Sequence, residues 1–507
     1  MRVKNSFNNT TLTFLSNLIN IIVGFIAQKI FINILGTEYL GINGLFTNII
    51  SMLGIVELGI GSAIIYNLYK PIIENDKETI KSLMSFYKKA YNLISIIIFI
   101  LGIIIMPFLP LFIKEVNVDV NLNLVYLLFI ADIICSYILS YKRSILYACQ
   151  KNYIIDIIHM TYIVVLNIVQ LIVLYITKNY YLYLTVKILC RLIENIVITL
   201  IVNRKYPYLV EKNINKLSPD IEKDIFKKIK ALFFHKIGGF FVKGTDNIII
   251  STFIGITQVG YYSNYYMIFH AIETLFGKAI TALTPSVGDM LVTETQQKKY
   301  DIFKKVRFIN FWIACFCGIS ILLIMDSFIT IWLGKEYILG QLVLIVLVFN
   351  FYQKMMRNSY STFKEAAGIF YEDRFVPIVE SILNIILSII LIKPFGLAGV
   401  FMGTIISGLA LWCYSYPKYV YKKIFFRSYK DYIKETIGYI LLFIVISIVS
   451  LVVSSMFIFE NIWIRFIKNV IISAIIPNIM IIIIFYKTDN FKYYKDLVFN
   501  IIKHRKK

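Results

Sequence analysis

Apolar runs of about 20 residues follow one another along the whole chain, each long enough to cross a bilayer as a helix. They predict helices near 11–33, 40–68, 83–112, 121–147, 153–176, 180–202, 231–254, 258–287, 306–333, 339–365, 375–393, 397–421, 435–459 and 462–486. Fourteen spans would put both chain ends on the same face. The polar stretches between them alternate. Those with Lys70, Lys77 and Lys81, with Lys142, Arg143 and Lys151, with Arg204 through Lys230, and with Lys298 through Arg307 are basic. So are those with Lys354, Arg357 and Arg374, with Lys418 through Lys434, and from Lys487 to Lys507, while the intervening turns carry at most a lone base. Basic loops stay on the cytoplasmic side, so both termini are expected there. The first run follows Met1–Thr13 with no cleavage-site pattern and is expected to be a retained span.

The longest basic stretch divides the pattern. Within it, Ser218-Pro219-Asp220 reads as a helix start. Ile221, Ile225, Ile229 and Leu232 then form an apolar stripe avoided by Lys223, Lys227, Lys228 and Lys230. That pattern fits a helix lying in the membrane interface, or a plain tether between halves.

The two halves share a landmark. Gly36-Thr-Glu-Tyr-Leu-Gly41 and Gly255-Ile-Thr-Gln-Val-Gly260 lie 219 positions apart, as do Met106 and Met325, and Ala148 and Ala367. Six helices separate the copies, and an even number makes the repeat parallel about an axis along the membrane normal. The expected organisation is an N-terminal six-helix lobe (1–203), a cytoplasmic linker with the interfacial helix (204–230) and a second six-helix lobe (231–424). Helices 13 and 14 with a basic tail (425–507) complete it. The fold class is all-α integral membrane, two six-helix lobes plus two extra helices.

Polar residues interrupt the apolar spans at helical spacing. Asn17, Asn20 and Gln28 share one face of the first helix with Thr13 and Gly24. The equivalent face of the seventh holds Lys236, Gly239, Lys243 and Asn247, with Asp246 one turn from Lys243. Glu57 and Glu273 lie on the polar faces of helices 2 and 8. On helix 6, Lys187, Arg191 and Glu194 share a face; on helix 4, Asp132, Ser136 and Arg143 do. Ionisable groups in a bilayer face a cavity or a partner. Lys243, Lys236, Arg191, Asn17, Asn20, Gln28 and Asn247 are therefore candidate substrate contacts. Glu57, Glu273, Asp132, Asp246 and Glu194 are candidates for ion coupling or for structural pairing. Lys243 is expected to face the central cavity, the competing account being a pair with Asp246.

Composition narrows the classes. The chain has 507 residues, 58% hydrophobic and only 16% charged, with a mean hydropathy of +0.74, which excludes an ordinary soluble protein. The formal net charge is +22. Because the bases sit between apolar runs, they point to topology and anionic membrane lipids rather than to nucleic acid. The six cysteines (135, 149, 190, 315, 317 and 413) lie in apolar segments without a CxxC and are expected to form neither disulfides nor a metal site. The four histidines (159, 235, 270 and 504) are scattered, and no metal or other cofactor is expected. The abundance of Ile, Asn, Lys and Tyr points to an AT-rich bacterial genome.

The stretches Ile34-Leu-Gly-Thr-Glu-Tyr-Leu-Gly-Ile-Asn-Gly-Leu-Phe46, Glu57-Leu-Gly-Ile-Gly-Ser-Ala63 and Tyr66-Asn-Leu-Tyr-Lys-Pro71 resemble the polysaccharide biosynthesis flippases of O-antigen and teichoic acid type. Their superfamily also holds multidrug and toxin extrusion carriers and lipid II flippases. The resemblance implies the extrusion-carrier fold and alternating access. The implied substrate is an undecaprenyl-pyrophosphate-linked oligosaccharide moved from the inner to the outer leaflet of a bacterial plasma membrane. It implies no catalytic residue, and as partners a polysaccharide polymerase and glycosyltransferases. Two alternatives stay open: a cation-coupled drug exporter, which requires a dominantly acidic cleft, and a membrane polysaccharide polymerase, which requires reactive side chains gathered at one surface.

Overall fold

A computed structural model of the chain describes residues 2–57, 60–114, 118–211, 215, 217–219, 221–230, 245–369 and 372–505. These residues are helical almost throughout. The helices are α1 (Arg2–Leu35), α2 (Thr37–Leu53), α3 (Ile60–Glu74), α4 (Lys77–Ile105), α5 (Leu122–Tyr137), α6 (Arg143–Ala148), α7 (Asn152–Thr177) and α8 (Tyr180–Lys205). Then follow α9 (Asp246–Phe253), α10 (Ile256–Thr281), α11 (Thr284–Thr293), α12 (Gln296–Trp332), α13 (Gln341–Ala366), α14 (Val376–Phe395) and α15 (Leu397–Ser407). The last are α16 (Tyr429–Ser455), α17 (Ile462–Phe485) and α18 (Asp489–Arg505). Residues 221–230 are also helical, after Ser218.

Ten helical segments among the described residues are long and apolar enough to cross a membrane. Three further expected spans are built as α8, α10 and α13, each of 26 residues. At 1.5 Å per residue each is about 39 Å long, which exceeds the hydrocarbon core. What sets them apart is the polar faces they carry, which in α8 place Lys187, Arg191 and Glu194 within one span. The remaining expected span, 231–254, lies mostly outside the described residues.

Side chains at the helix starts explain the short turns. Asn121, Asn179 and Asn461 each accept a backbone N–H of the first turn that follows. Ser428 and Asp431 form a reciprocal capping box. At Asp76, hydrogen bonds from the Thr79 hydroxyl and N–H hold the carboxyl below the usual carboxylate range.

The 219-residue spacing recurs in the structure. The starts of α2 and α10 (37 and 256), of α4 and α12 (77 and 296), and of α5 and α13 (122 and 341) all obey it. Gly36 and Gly255 both take positive φ, +95° and +146°, a conformation that favours glycine. The next glycine of each motif is used reciprocally. A Cβ on Gly41 would overlap the carbonyl of Ile256, and a Cβ on Gly260 would overlap that of Thr37. Because 37 corresponds to 256 and 41 to 260, the first turns of α2 and α10 exchange equivalent contacts.

The chain divides into two compact units, Met1–Ser263 and Asn264–Lys507. In the first, α1 packs on α7, and α8 on α7 and α5. In the second, α12 packs on α13 and α17, and α14 on α15. Several expected continuous spans are broken. The second expected helix changes to a 3-10 turn at Gly54–Glu57 before α3. The eighth ends at Thr281, before Pro285 in the first turn of α11. The twelfth continues as a π-helix over Leu411–Ile424, around Pro417, whose missing N–H interrupts α spacing. The fourth expected helix breaks at Ile138 and Leu139, and this break shapes the site described next.

All six cysteines are free. Cys315 and Cys317 are buried, whereas Cys413 is exposed rather than packed in a core.

Candidate functional site

The first unit holds a charged network midway along α8. Arg191 lies 11 residues from the start of that 26-residue helix, about 16 Å along its axis. Asp132 on α5 accepts from two bases of α8: Lys187 Nζ lies 3.0 Å from Oδ2, and Arg191 Nε lies 3.4 Å from Oδ1. One turn further along, Glu194 Oε1 is 3.3 Å from an Arg143 terminal nitrogen and 2.9 Å from His159 Nδ1. Arg191 also approaches Glu194, at 3.7 Å, so the pairing within α8 is looser than the pairings between helices. The Arg191 guanidinium covers the Tyr162 ring with its carbon 5.0 Å from the centroid, and His159 stacks on the same ring.

Arg143 reaches Glu194 because α5 stops short. Ile138 leaves helical geometry, Leu139 takes a left-handed conformation (φ +66°), and the chain restarts at α6. The expected shared face of Asp132, Ser136 and Arg143 on one helix is therefore not built. A break inside a bilayer exposes backbone carbonyls that need donors. Asn195, buried beside Glu194, supplies them: its Nδ2 donates to Cys135 O at 2.8 Å and to Ile138 O at 2.9 Å. Its Oδ1 accepts from Arg143 at 2.7 Å. One asparagine thus stabilises the break and orients the arginine that the break delivers.

The network holds three permanent cations, Lys187, Arg191 and Arg143, against two carboxylates, with His159 in addition. Exposure separates the signs. The Glu194 and Asp132 side chains are 0% and 14% exposed, and those of Arg191, Arg143 and Lys187 are 22%, 22% and 28% exposed. The acids lie further inside than the cations, whose side chains stay partly exposed.

The other sequence-predicted residues scatter. Asn17, Asn20 and Gln28 are half-buried on α1, and the Asn20 side-chain oxygen is buried without a hydrogen-bond partner among the described residues. Asn247 donates to the Gly44 carbonyl of α2 at 3.4 Å, a packing contact. Asp246 opens α9. Glu57 accepts from Tyr137 at 2.9 Å and from Tyr91 at 3.4 Å. Glu273 is half-buried on α10. Lys236 and Lys243 lie outside the described residues, and so do both accounts of Lys243, facing the cavity or pairing with Asp246. His159, read from sequence as one of four scattered histidines, was missed, because its partner stands 35 positions away on another helix. Asp326 on α12 was also missed. It is half-buried, and one carboxylate oxygen is buried without a hydrogen-bond partner among the described residues. Its signal was present, as the lone acid in the apolar run 308–333.

The family described as "Polysaccharide biosynthesis protein" matches residues 6–291, more than half of the chain. The chain belongs to this polysaccharide biosynthesis family. Among curated relatives, it is 24% identical over 205 residues to the "Probable low-salt glycan biosynthesis flippase Agl15" of Haloferax volcanii. The match takes in 38% of this chain and 43% of that relative, so the chain spans less than half the relative's length. Among solved structures, this polysaccharide biosynthesis protein is similar to a lipid II flippase MurJ in an inward closed conformation. That likeness has a TM-score of 0.68 and 14% identity, covering 96% of this chain and 100% of the other. It is also similar to the Vibrio cholerae MATE transporter VcmN, with a TM-score of 0.57 and 14% identity over 84% and 99% of the two chains. These likenesses show the fold, that of a multi-pass membrane protein.

Proposed function

We propose that this polysaccharide biosynthesis protein is a flippase for an undecaprenyl-pyrophosphate-linked oligosaccharide, acting by alternating access and forming or breaking no covalent bond. The observation that carries this reading is the mid-span network with its excess, partly open positive charge. A pyrophosphate leaving water needs charge-assisted donors. Arg143 and Arg191 are held by the buried Glu194, and Lys187 and Arg191 by the half-buried Asp132. Asn17, Asn20 and Gln28 supply amides of the kind a glycan requires. Family membership and the flippase name of the Haloferax relative support the same reading.

The finer proposals follow from the loop charges and the resemblance. The basic face is cytoplasmic and carries both termini, the membrane is a bacterial plasma membrane, and 1–203 and 231–424 are the lobes that rock. A polymerase and glycosyltransferases act before and after it. Lys236 and Lys243 extend the cationic surface. Glu57, Glu273, Asp246 and Asp326 are the acids available for ion coupling. An inside-negative potential would favour outward movement of the anion by roughly 2.3 kcal/mol per charge per 100 mV.

The test uses purified protein in liposomes with the lipid-linked oligosaccharide loaded in one leaflet. The glycan should become accessible to a lectin on the other side, its mass unchanged. Replacing Lys187 and Arg191 together by Gln should slow this by at least about tenfold, the worth of one charge-assisted hydrogen bond. A changed substrate mass would make the protein an enzyme. Full activity of the neutralised variant, or cation-driven drug efflux in its place, would overturn the reading.

A further inference from the structure

A cavity of about 780 Å³ lies in the first unit, away from the charged network. One wall is α4, from Ser82 to Ile97. The opposite side is the linker segment from Asn215 to Ile229. Named contacts dock that segment: Ser82 Oγ donates to Asn215 O at 2.8 Å, Lys81 pairs with Glu211 at 3.0 Å, and Phe86 meets Phe226 edge-on at 6.1 Å. Lys228 donates to Asn67 Oδ1 at 3.2 Å and covers the Tyr66 ring. The linker helix is thus seated on α3 and α4.

We propose that this cavity binds a phospholipid of the basic-face leaflet whose head group carries an amine as well as a phosphate. Lys89 and Ser85 take the phosphate, Glu222 the ammonium, and an acyl chain runs along Leu93, Ile94 and Ile97.

Polarity is sorted along the cavity. Its polar lining residues on α4 (Ser82, Ser85 and Lys89) lie toward the basic end, and Leu93, Ile94 and Ile97 lie further in. From Ser82 to Ile97 the helix rises about 22 Å. One leaflet with its head groups is about 20–22 Å thick. Two donors stand ready. Ser85 and Lys89 are four residues apart, hence on one face, and neither has a hydrogen bond or ion pair among the described residues. Lys81, by contrast, is occupied by Glu78 and Glu211. One lysine against one glutamate matches a zwitterionic phosphodiester. It is too little positive charge for a pyrophosphate.

The full-length protein in detergent, examined by native mass spectrometry with added lipids, tests this. Phosphatidylethanolamine should be retained at one per chain. Diacylglycerol, which has the tails without the phosphate, should be retained about tenfold less, and excess inorganic phosphate should not displace the lipid. Lys89→Gln, or Ala90→Trp, which fills the cavity, should each lower retention about tenfold, while Lys88→Gln beside the cavity should not. Glu222→Gln should abolish the preference over phosphatidylglycerol. If Ala90→Trp lowers the melting temperature, Leu93→Trp at an exposed position replaces it. The proposal is overturned if wild type retains no lipid or if the filled variants retain it equally. It is also overturned if diacylglycerol binds as well, or if undecaprenyl phosphate outcompetes the phospholipid. None of these outcomes bears on transport through the charged network.

Discussion

The two units treat charge inside the membrane differently. In the first, five charged side chains from α5, α6 and α8 gather around mid-span, with three cations for two acids. In the second, the least exposed pairings join one base to one acid and lie toward the basic ends of helices. Arg307 meets Glu435, Lys364 meets Asp373, and Arg357 meets Glu380 at 2.7 Å. The internal repeat sharpens the contrast. Position 351, the counterpart of Asp132, is Phe351. The stretch 397–417, where the counterpart of α8 lies, carries no charged residue at all. One copy of the repeat therefore fills the positions equivalent to Asp132, Lys187, Arg191 and Glu194 without ionisable groups. The network is therefore not what the repeated architecture requires, and the cost of burying charge in a bilayer is one ground for proposing that it serves a ligand. Balanced pairs at helix ends are what structural glue looks like.

The strongest test of that contrast is Glu194→Gln. The residue is fully buried and faces Arg143, Arg191 and His159, so its neutralisation leaves cations without an acid. Breaking a buried pair costs about 3–5 kcal/mol, and thermal unfolding of the purified protein should show a drop of that order. Unchanged melting would mean that the cations need no anchor.

Asn195→Leu should have an effect of similar size. It strips the donors from the carbonyls of Cys135 and Ile138, at about 1–3 kcal/mol for each buried group left unsatisfied. Hydrogen exchange at residues 138–145 should rise more than exchange in α7. A uniform rise would place the asparagine outside the break.

How far sequence reached follows from these same residues. Most of the helices, the 219-residue repeat and the helical spacing of Lys187, Arg191 and Glu194 were legible, because each is a local or periodic signal. The break at Leu139 was not. Ile138-Leu139-Ser140 contains neither proline nor glycine, and what stabilises it is an asparagine 57 positions from Ile138. The same holds for His159. α8, α10 and α13 were legible as spans although each is interrupted by polar residues. The linker helix was legible from its stripe, but its seat on α4 depends on Ser82 and Phe86, which look unremarkable in sequence.

Next in size is the loss of transport on neutralising the open cations. Arg191→Gln alone should slow flipping by about tenfold while costing less stability than Glu194→Gln, since a half-open cation is partly solvated already. Arg191→Lys should recover part of the rate, keeping the charge but losing the planar donor. A variant whose rate and stability fall in proportion would make Arg191 a structural residue, and the two units would no longer differ.

The smallest expected effect carries the other half of the comparison. If the Arg357–Glu380 pair only joins α13 to α14, then removing both charges together should be nearly silent. Buried pairs replaced by apolar residues of similar volume are often neutral or stabilising, whereas removal of one partner costs about 3–5 kcal/mol. Arg357→Met with Glu380→Leu should therefore melt close to the wild type and flip at the wild-type rate, while Glu380→Leu alone should be clearly destabilised. Met occupies much of the arginine stem's volume, and Leu suits a site where the glutamate side chain is only 4% exposed. The equivalent operation in the first unit, Asp132→Leu with Lys187→Met and Arg191→Met, should leave a folded protein that does not transport. The counterpart helices already demonstrate that the fold tolerates apolar residues there. Should the second-unit double variant lose transport while keeping its melting temperature, charge in that unit also serves the substrate. The asymmetry between the two repeats would then lie in where each cationic site sits along the membrane normal rather than in whether it exists.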